Sequence, residues 1–224
     1  MKAKSIAIIA VLLLSVSSPV LADNDAAILV QEGSHDSADS HQENSQESLV
    51  LITQTRSAAN AAVIMQKNTK GFRASIHQHD SVESSGRIDQ SNGQDSRAVI
   101  DQSSTYLAEA HVDQEQTANS MAGITQTNTT GSLAQTAQEM APLSRAETVQ
   151  IGGNNLLAET EQFGTGNEAD IIQGGSDNSA HIHQQSSADI SHGNSAIIIQ
   201  PSGFNNMGRV IQYGAGNNAT VHQF

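Results

Sequence analysis

What most constrains this 224-residue chain is a glutamine that returns every 11 or 12 residues. The series runs Gln31, Gln42, Gln54, Gln66, Gln78, Gln90, Gln102, Gln114, Gln126, Gln138, Gln150, Gln162, Gln173, Gln184, Gln200, Gln212 and Gln223. Fifteen of its sixteen intervals are 11 or 12 and one is 16, so a stacked-repeat architecture has to be considered before any ordinary globular core.

The columns around the glutamine name the secondary structure. Four residues before it stands Ala in fourteen of seventeen cases, with Val50, Gly86 and Gly208 among the exceptions' places. Two before it, thirteen residues are aliphatic, among them Ile52, Ile64, Ile76, Ile88, Ile100, Val112, Ile124, Ile171, Ile182, Ile198, Val210 and Val221; Ser40, Thr136, Thr148 and Thr160 are the rest. Six before it, Asn60, Asn167, Asn178, Asn194, Asn206 and Asn217 alternate with serines such as Ser48, Ser84, Ser96, Ser120, Ser132 and Ser144.

All these offsets are even, so in an extended strand the four side chains lie on one face. The odd positions, such as Asp89, Asp101, Asp113 and His183, face outward. A helix would need apolar residues three and four apart, which the columns lack. Seven strand residues leave four or five for a turn rich in Gly, Ser, Asn and Thr. The expected fold is all-β: a parallel β-solenoid of about eight two-strand coils, roughly 23 residues and 4.7 Å of rise each, with alternate half-repeats in two facing parallel sheets.

An unsatisfied buried amide costs about 1–3 kcal/mol, so glutamine has no place in an ordinary core. In a stack each amide donates to the glutamine one coil on and accepts from the one before. Gln102 is therefore expected opposite Gln114 and stacked between Gln78 and Gln126, with the Asn and Ser column forming a second side-chain ladder. The coil of Gln42, with Ser40 and Asp36 at its inward positions, is expected to fray first, and Thr136, Thr148 and Thr160 to mark a softer middle. The turn from Gln185 to Gly193 is about four residues longer than the others and is expected to bulge without breaking register.

The segment 1–22 has lysines at 2 and 4, an apolar run from Ile6 to Leu14 and a small-residue end at Ala22. It reads as a secretory leader, leaving a solenoid over 23–224 and no membrane anchor. Losing Lys2 and Lys4 with it takes the formal charge from −13 to −15, which disfavours nucleic acid as a partner. There is no Cys, so neither disulfides nor thiolate chemistry are available. No catalytic motif, P-loop or dinucleotide fingerprint is present, and neither an enzyme activity nor a cofactor is expected.

Two outward sets stand out. Asp89 and Asp113 should fall one coil apart, where like charges repel and slow premature closure. Glu159 and Glu161 should lie one coil below His181 and His183, a set of the kind that binds Zn or Cu. Charge relief is its default reading, as it is for His77 over Asp101, and no metal is assigned.

The spacing Gln162-x-Gly164-x-x-Asn167-x-Ala169-x-x-x-Gln173 resembles the repeat of the curlin family. It recurs at Gln173, Gly175, Asn178, Ala180 and Gln184, and at Gln212, Gly214, Asn217, Ala219 and Gln223. The resemblance implies a secreted subunit of curli-type amyloid fibres serving adhesion and biofilm matrix. It also implies an outer-membrane secretion pore, accessory proteins and a nucleating minor subunit as partners. The chain departs from the family pattern in three respects: it lacks a Gly-rich export segment before the first repeat, most turns from Gln42 to Gln138 lack the glycine, and its coils are more numerous.

With repeats running from Gln31 to Gln223, no cap is expected over either open edge, and end-to-end addition of further copies is the expected behaviour. The alternative is a soluble monomeric solenoid adhesin that binds a surface or glycan through its outer face.

Overall fold

Alternation of buried and exposed residues carries through nearly every strand of the computed structural model, which describes residues 10–12, 25–186 and 193–224. One sheet contains, in spatial order, β1 (Ala10–Leu12), β2 (Ala26–Ser34), β4 (Leu49–Ala58), β6 (Arg73–His79), β8 (Arg97–Ser103), β10 (Met121–Thr130), β12 (Arg145–Asn154), β14 (Glu168–Gln173), β16 (Ser195–Gln200) and β18 (Asn218–His222). The facing sheet contains β3 (Ser37–Glu43), β5 (Ala61–Lys67), β7 (Ser85–Ser91), β9 (Glu109–Glu115), β11 (Leu133–Glu139), β13 (Leu157–Phe163), β15 (Ser179–Gln185) and β17 (Met207–Tyr213). From β2 onward every pairing is parallel. The chain is thus a β-solenoid of about eight turns.

Register follows the sequence columns. Ala74, Ala98 and Ala122 pair in a line, as do Ile76, Ile100 and Ile124 and the glutamines Gln78, Gln102 and Gln126. Between the sheets the Ala and Ile side chains form one continuous buried cluster from Leu29 to Val210, with Val221 only partly covered at its end. Ala beside Ile keeps the sheets close: at Gly86, a Cβ would stand 3.0 Å from the Ile76 methyl of the opposite sheet. The end strands are the least covered, β3 and β18 having no buried residue.

The glycine-poor turns bend by another route. In the 12-residue repeats between Gln42 and Gln162 the second and fifth residues after the glutamine take left-handed backbone, for example Asn92 and Asp95, Ser104 and Leu107, and Met140 and Leu143. Such a conformation costs a non-glycine residue roughly 1–2 kcal/mol, less for Asn and Asp. In two 11-residue repeats the bend tightens to the second and fourth residues, and both are glycine: Gly164 and Gly166, Gly214 and Gly216. Gly153, at φ 117, has no alternative, since a Cβ there would lie 1.6 Å from the Gly175 carbonyl oxygen. Turn backbones also bond along the axis, as from Asn92 N to Lys67 O (3.0 Å) and from Ser104 N to His79 O (2.9 Å).

The long turn leaves the register intact: Ile171 pairs with Ile198 and Gln173 with Gln200 after it. Its residues 187–192 lie outside the described residues, as do residues 1–9 and 13–24. Residues Ala10–Leu12 fall within the segment read above as a leader, so the expectation of open edges for the chain without it stands apart from them. In the full chain they pair antiparallel with Leu29–Gln31 and cover the first edge of the solenoid. Their stretch is apolar and rich in Ile, Val and Leu, with the β-propensity to occupy an open edge. Among the described residues no helix is long and apolar enough to cross a membrane.

Candidate functional site

Two amide ladders run the length of the interior. In one sheet Nε2 of each glutamine donates to Oε1 of the next, from Gln31 through Gln54, Gln78, Gln102, Gln126, Gln150, Gln173 and Gln200 to Gln223, at 2.6–3.1 Å. In the other the same chain links Gln42, Gln66, Gln90, Gln114, Gln138, Gln162, Gln184 and Gln212 at 2.7–3.0 Å. All are buried except Gln31, Gln42 and Gln223 at the ends.

The second amide hydrogen goes to a backbone carbonyl across the coil, as from Gln102 to Ser85 O and from Gln126 to Glu109 O, both 3.1 Å. Both hydrogens of most interior glutamines are therefore used, Gln66 and Gln90 making the glutamine bond alone, and the ladder has a direction. Donors point toward the C-terminal coil and acceptors toward the first one.

The second column works differently from the expected chain of side-chain amides. Its side-chain oxygens accept backbone N–H groups from one coil on: Asn60 from Ser84, Asn167 from Asn194, Asn178 from Asn206 and Asn194 from Asn217. Ser96, Ser120 and Ser132 do the same for Ser120, Ser144 and Leu156. Asn167 and Asn178 turn their amides back onto their own turn, to Phe163 O at 2.8 Å and Gly174 O at 2.6 Å, whereas Asn60 donates to Ser81 and Asn194 to Gly214 O one coil on. Asn217 makes the one side-chain amide link of this column among the described residues, to Asn194 Oδ1 at 3.0 Å. The reason is position: the column stands where the turn enters the strand, beside a backbone donor that the sheet ladder leaves to be satisfied.

Two members of this system are missed by reading Asn and Ser alone. Asp25 and Asp36, also six residues before a glutamine, accept from the backbone N–H of Ser48 and Asn60 at 2.9 and 3.0 Å. Their shared carbonyl-like oxygen at the same offset was the available signal. Phe72 interrupts the column instead and fills the corner as the largest fully buried side chain; its offset alone would have flagged it.

Thr136, Thr148 and Thr160 are buried, and their hydroxyl oxygens have no hydrogen-bond partner. Three unsatisfied hydroxyls within the aliphatic column are a specific reason to expect a softer middle.

Asp89 and Asp113 do pair in register on the outer face, but they are not equivalent. Burial works to raise the Asp89 carboxyl, and the hydrogen bonds from His111 and Arg87, with the guanidinium charge, outweigh it and hold it below its ordinary value. Arg87 Nε is 2.6 Å from Asp89 Oδ2 and His111 Nε2 is 3.3 Å away. Asp113 is pushed up by burial and by the charge of Asp89.

The repulsion is therefore borne by Asp113. A carboxyl raised on folding penalises the folded state while it is charged, and the penalty disappears as pH falls through its raised folded value. Replacing Asp113 with Asn alone should stabilise the coil at pH 7 by a few tenths of a kcal/mol and shorten any assembly lag, with the advantage fading in acid. Paired urea titrations at pH 7 and pH 4 check this, and an equal gain at both would contradict it. Asp89→Asn should lose stability instead, by stranding Arg87 and His111.

The remaining outward sets fall where the columns put them. His77 pairs in register with Asp101, and Glu159 and Glu161 with His181 and His183. His183 Nδ1 is 2.8 Å from Glu161 Oε2, and His181 Nε2 is 3.8 Å from Glu159 Oε2. Arg145 gathers Glu147, Glu168 and Asp170 on the other sheet, where burial nonetheless leaves Asp170 above its ordinary value.

Residues 153–185 match the family model described as the curlin-associated repeat, which supports membership of the curlin family. The matched stretch contains the spacing from Gln162 to Gln184 quoted above. No curated protein matches the chain. The repeat and the solenoid together point to a structural protein.

Proposed function

We propose, for a chain that carries the curlin-associated repeat, that it is a secreted structural subunit which adds end to end into curli-type fibres for adhesion and biofilm matrix. The observation that carries this reading is the pair of directed amide ladders. At the C-terminal coil Gln212 and Gln223 each give one amide hydrogen to a backbone carbonyl, Ser195 O and Met207 O, and keep a second directed along the axis. At the first coil Gln31 and Gln42 donate onward and their own oxygens accept nothing from the described residues. Donors at one end meet acceptors at the other when a second copy stacks in the same sense, and the interior bonding continues across the junction.

Backbone and surface support the same addition. The outer edges of β17 and β18 have no strand partner among the described residues. Phe204, Met207, Tyr213 and Phe224 are exposed around that last coil, an apolar surface that a stacked copy would cover. Removal of the leader takes β1 off the other edge and frees β2 to pair, coupling export to assembly competence. By resemblance, an outer-membrane pore would export the subunit and a minor subunit would nucleate it.

The test is incubation of purified chain lacking residues 1–22. Thioflavin fluorescence should rise after a lag, and the fibres should diffract with a meridional spacing near 4.7 Å. A monomer that persists for days with a folded β spectrum would overturn the reading in favour of the soluble adhesin.

A further inference from the structure

We propose that Glu159, Glu161 and His181 form a binding site for one divalent transition-metal ion of the Zn2+ type, with His183 orienting Glu161. The two carboxylates stand two residues apart on β13 and so emerge on the same outer face. The adjacent strand β15 brings His181 and His183 beside them in register. One carboxylate oxygen from each glutamate and a ring nitrogen of His181 lie within 4.8 Å of one another. Donors around tetrahedral zinc, each about 2.0–2.1 Å from the ion, sit roughly 3.4 Å apart, a closure within reach of side-chain rotation.

Charge separates this cluster from those outward acids that pair with arginine or lysine. Asp89 is held by Arg87, Asp80 by Arg56, Glu43 by Lys67, and Glu147, Glu168 and Asp170 by Arg145. Among the described residues Glu159 and Glu161 have ion-pair contacts only with imidazoles. Arg209 follows on β17 in register with His181, on the side of β15 away from the glutamates.

Two carboxylate oxygens and an imidazole nitrogen suit zinc or copper and are a poor set for calcium or magnesium, which take oxygen ligands. Three protein ligands leave a coordination position for water. His183 lies between Phe163 and Tyr213, ring centroids 5.6 and 5.8 Å away, and its Nδ1 meets Glu161 at 2.8 Å. A ring held in place and bonded to a ligating carboxylate does what outer-shell partners do at metal sites. The site would tie β13 to β15 and stabilise the folded chain by an amount that grows with the logarithm of free metal above its Kd.

Calorimetric titration of the freshly desalted full chain with ZnCl2, before any assembly, tests this independently of fibre formation. One saturable Zn2+ per chain is expected, with a rise in urea midpoint and, for Co2+, the visible absorption of a four-coordinate site. E159Q and H181Q should each abolish the one-to-one binding, and with it the rise in urea midpoint on adding Zn2+. H183Q should weaken binding about ten-fold and keep the stoichiometry. Absence of saturable binding up to roughly 100 µM free Zn2+ would overturn the proposal, since such a site would not stabilise the fold at realistic metal levels. One-to-one binding that survives the E159Q/H181Q double variant would overturn it equally, by assigning the ion to other histidines.

Discussion

Gln102→Glu is expected to destabilise the solenoid by at least about 4 kcal/mol at neutral pH, the largest effect of any single isosteric change in the chain. Gln102 is fully buried, and its Nε2 donates to Gln126 Oε1 at 2.8 Å, Ser85 O at 3.1 Å and Ala108 O at 3.3 Å. A carboxylate oxygen in that place would face three acceptors and carry a buried charge. One contact survives, because Gln78 Nε2 donates to the other oxygen in either case.

Burial and the surrounding acceptors would raise the new carboxyl above its ordinary value. The penalty should therefore be present above the folded value and fall away as pH drops through it. Recovery would be partial, since a protonated acid supplies one hydrogen where the amide supplied two. Gln102→Leu separates charge from bonding. It keeps the volume, leaves a Gln78 amide hydrogen and Gln126 Oε1 without their partner, and should cost roughly 2–3 kcal/mol without pH dependence. Urea unfolding of the three proteins at pH 4 and pH 7 gives the comparison. Tolerance of glutamate at neutral pH would mean that this side chain is not shut in among its neighbours.

The opposite sign is expected for the triple variant Thr136→Val, Thr148→Val, Thr160→Val. Thr136 pairs with Val112 and Thr160, Thr160 with Ile182, and Thr148 lies between Ile124 and Ile171. None of the three hydroxyl oxygens has a partner. Valine keeps the β-branched shape that suits the strand, removes the unsatisfied group and extends the aliphatic column. At about 1 kcal/mol or more per site, the gain should reach roughly 3 kcal/mol, less any coupling between the stacked pair Thr136 and Thr160. It should appear as a higher urea midpoint with an unchanged slope. An unchanged midpoint would show that the hydroxyls are satisfied by water admitted to the stack.

Stabilising the middle should also alter assembly. If the coils around β11 to β13 close last, the valine variant should fold faster and offer completed edges sooner, shortening the lag. Asp113→Asn acts in the same direction through β9, and the two changes lie on different faces of the strands, so their effects should add.

Much of this molecule is legible in one dimension because each coil repeats the conditions of the one before. Even offsets put Ala, Ile and Gln on one face, and a half-repeat of 12 residues then aligns like with like, so strands, sheets, register and the buried glutamine columns all follow from spacing. The same logic placed Asp89 beside Asp113 and Glu159 and Glu161 beside His181 and His183. What spacing does not encode is the torsion of a side chain or the identity of its neighbour through space. Only the three-dimensional structure decided that the Asn and Ser oxygens bond backbone N–H groups, that Arg87 bonds Asp89 and leaves Asp113 with the repulsion, and that three donor atoms of Glu159, Glu161 and His181 converge. Position along a strand is a local property copied by the repeat, whereas a hydrogen bond or a ligand set depends on distances and directions between coils that exist once the chain has wound.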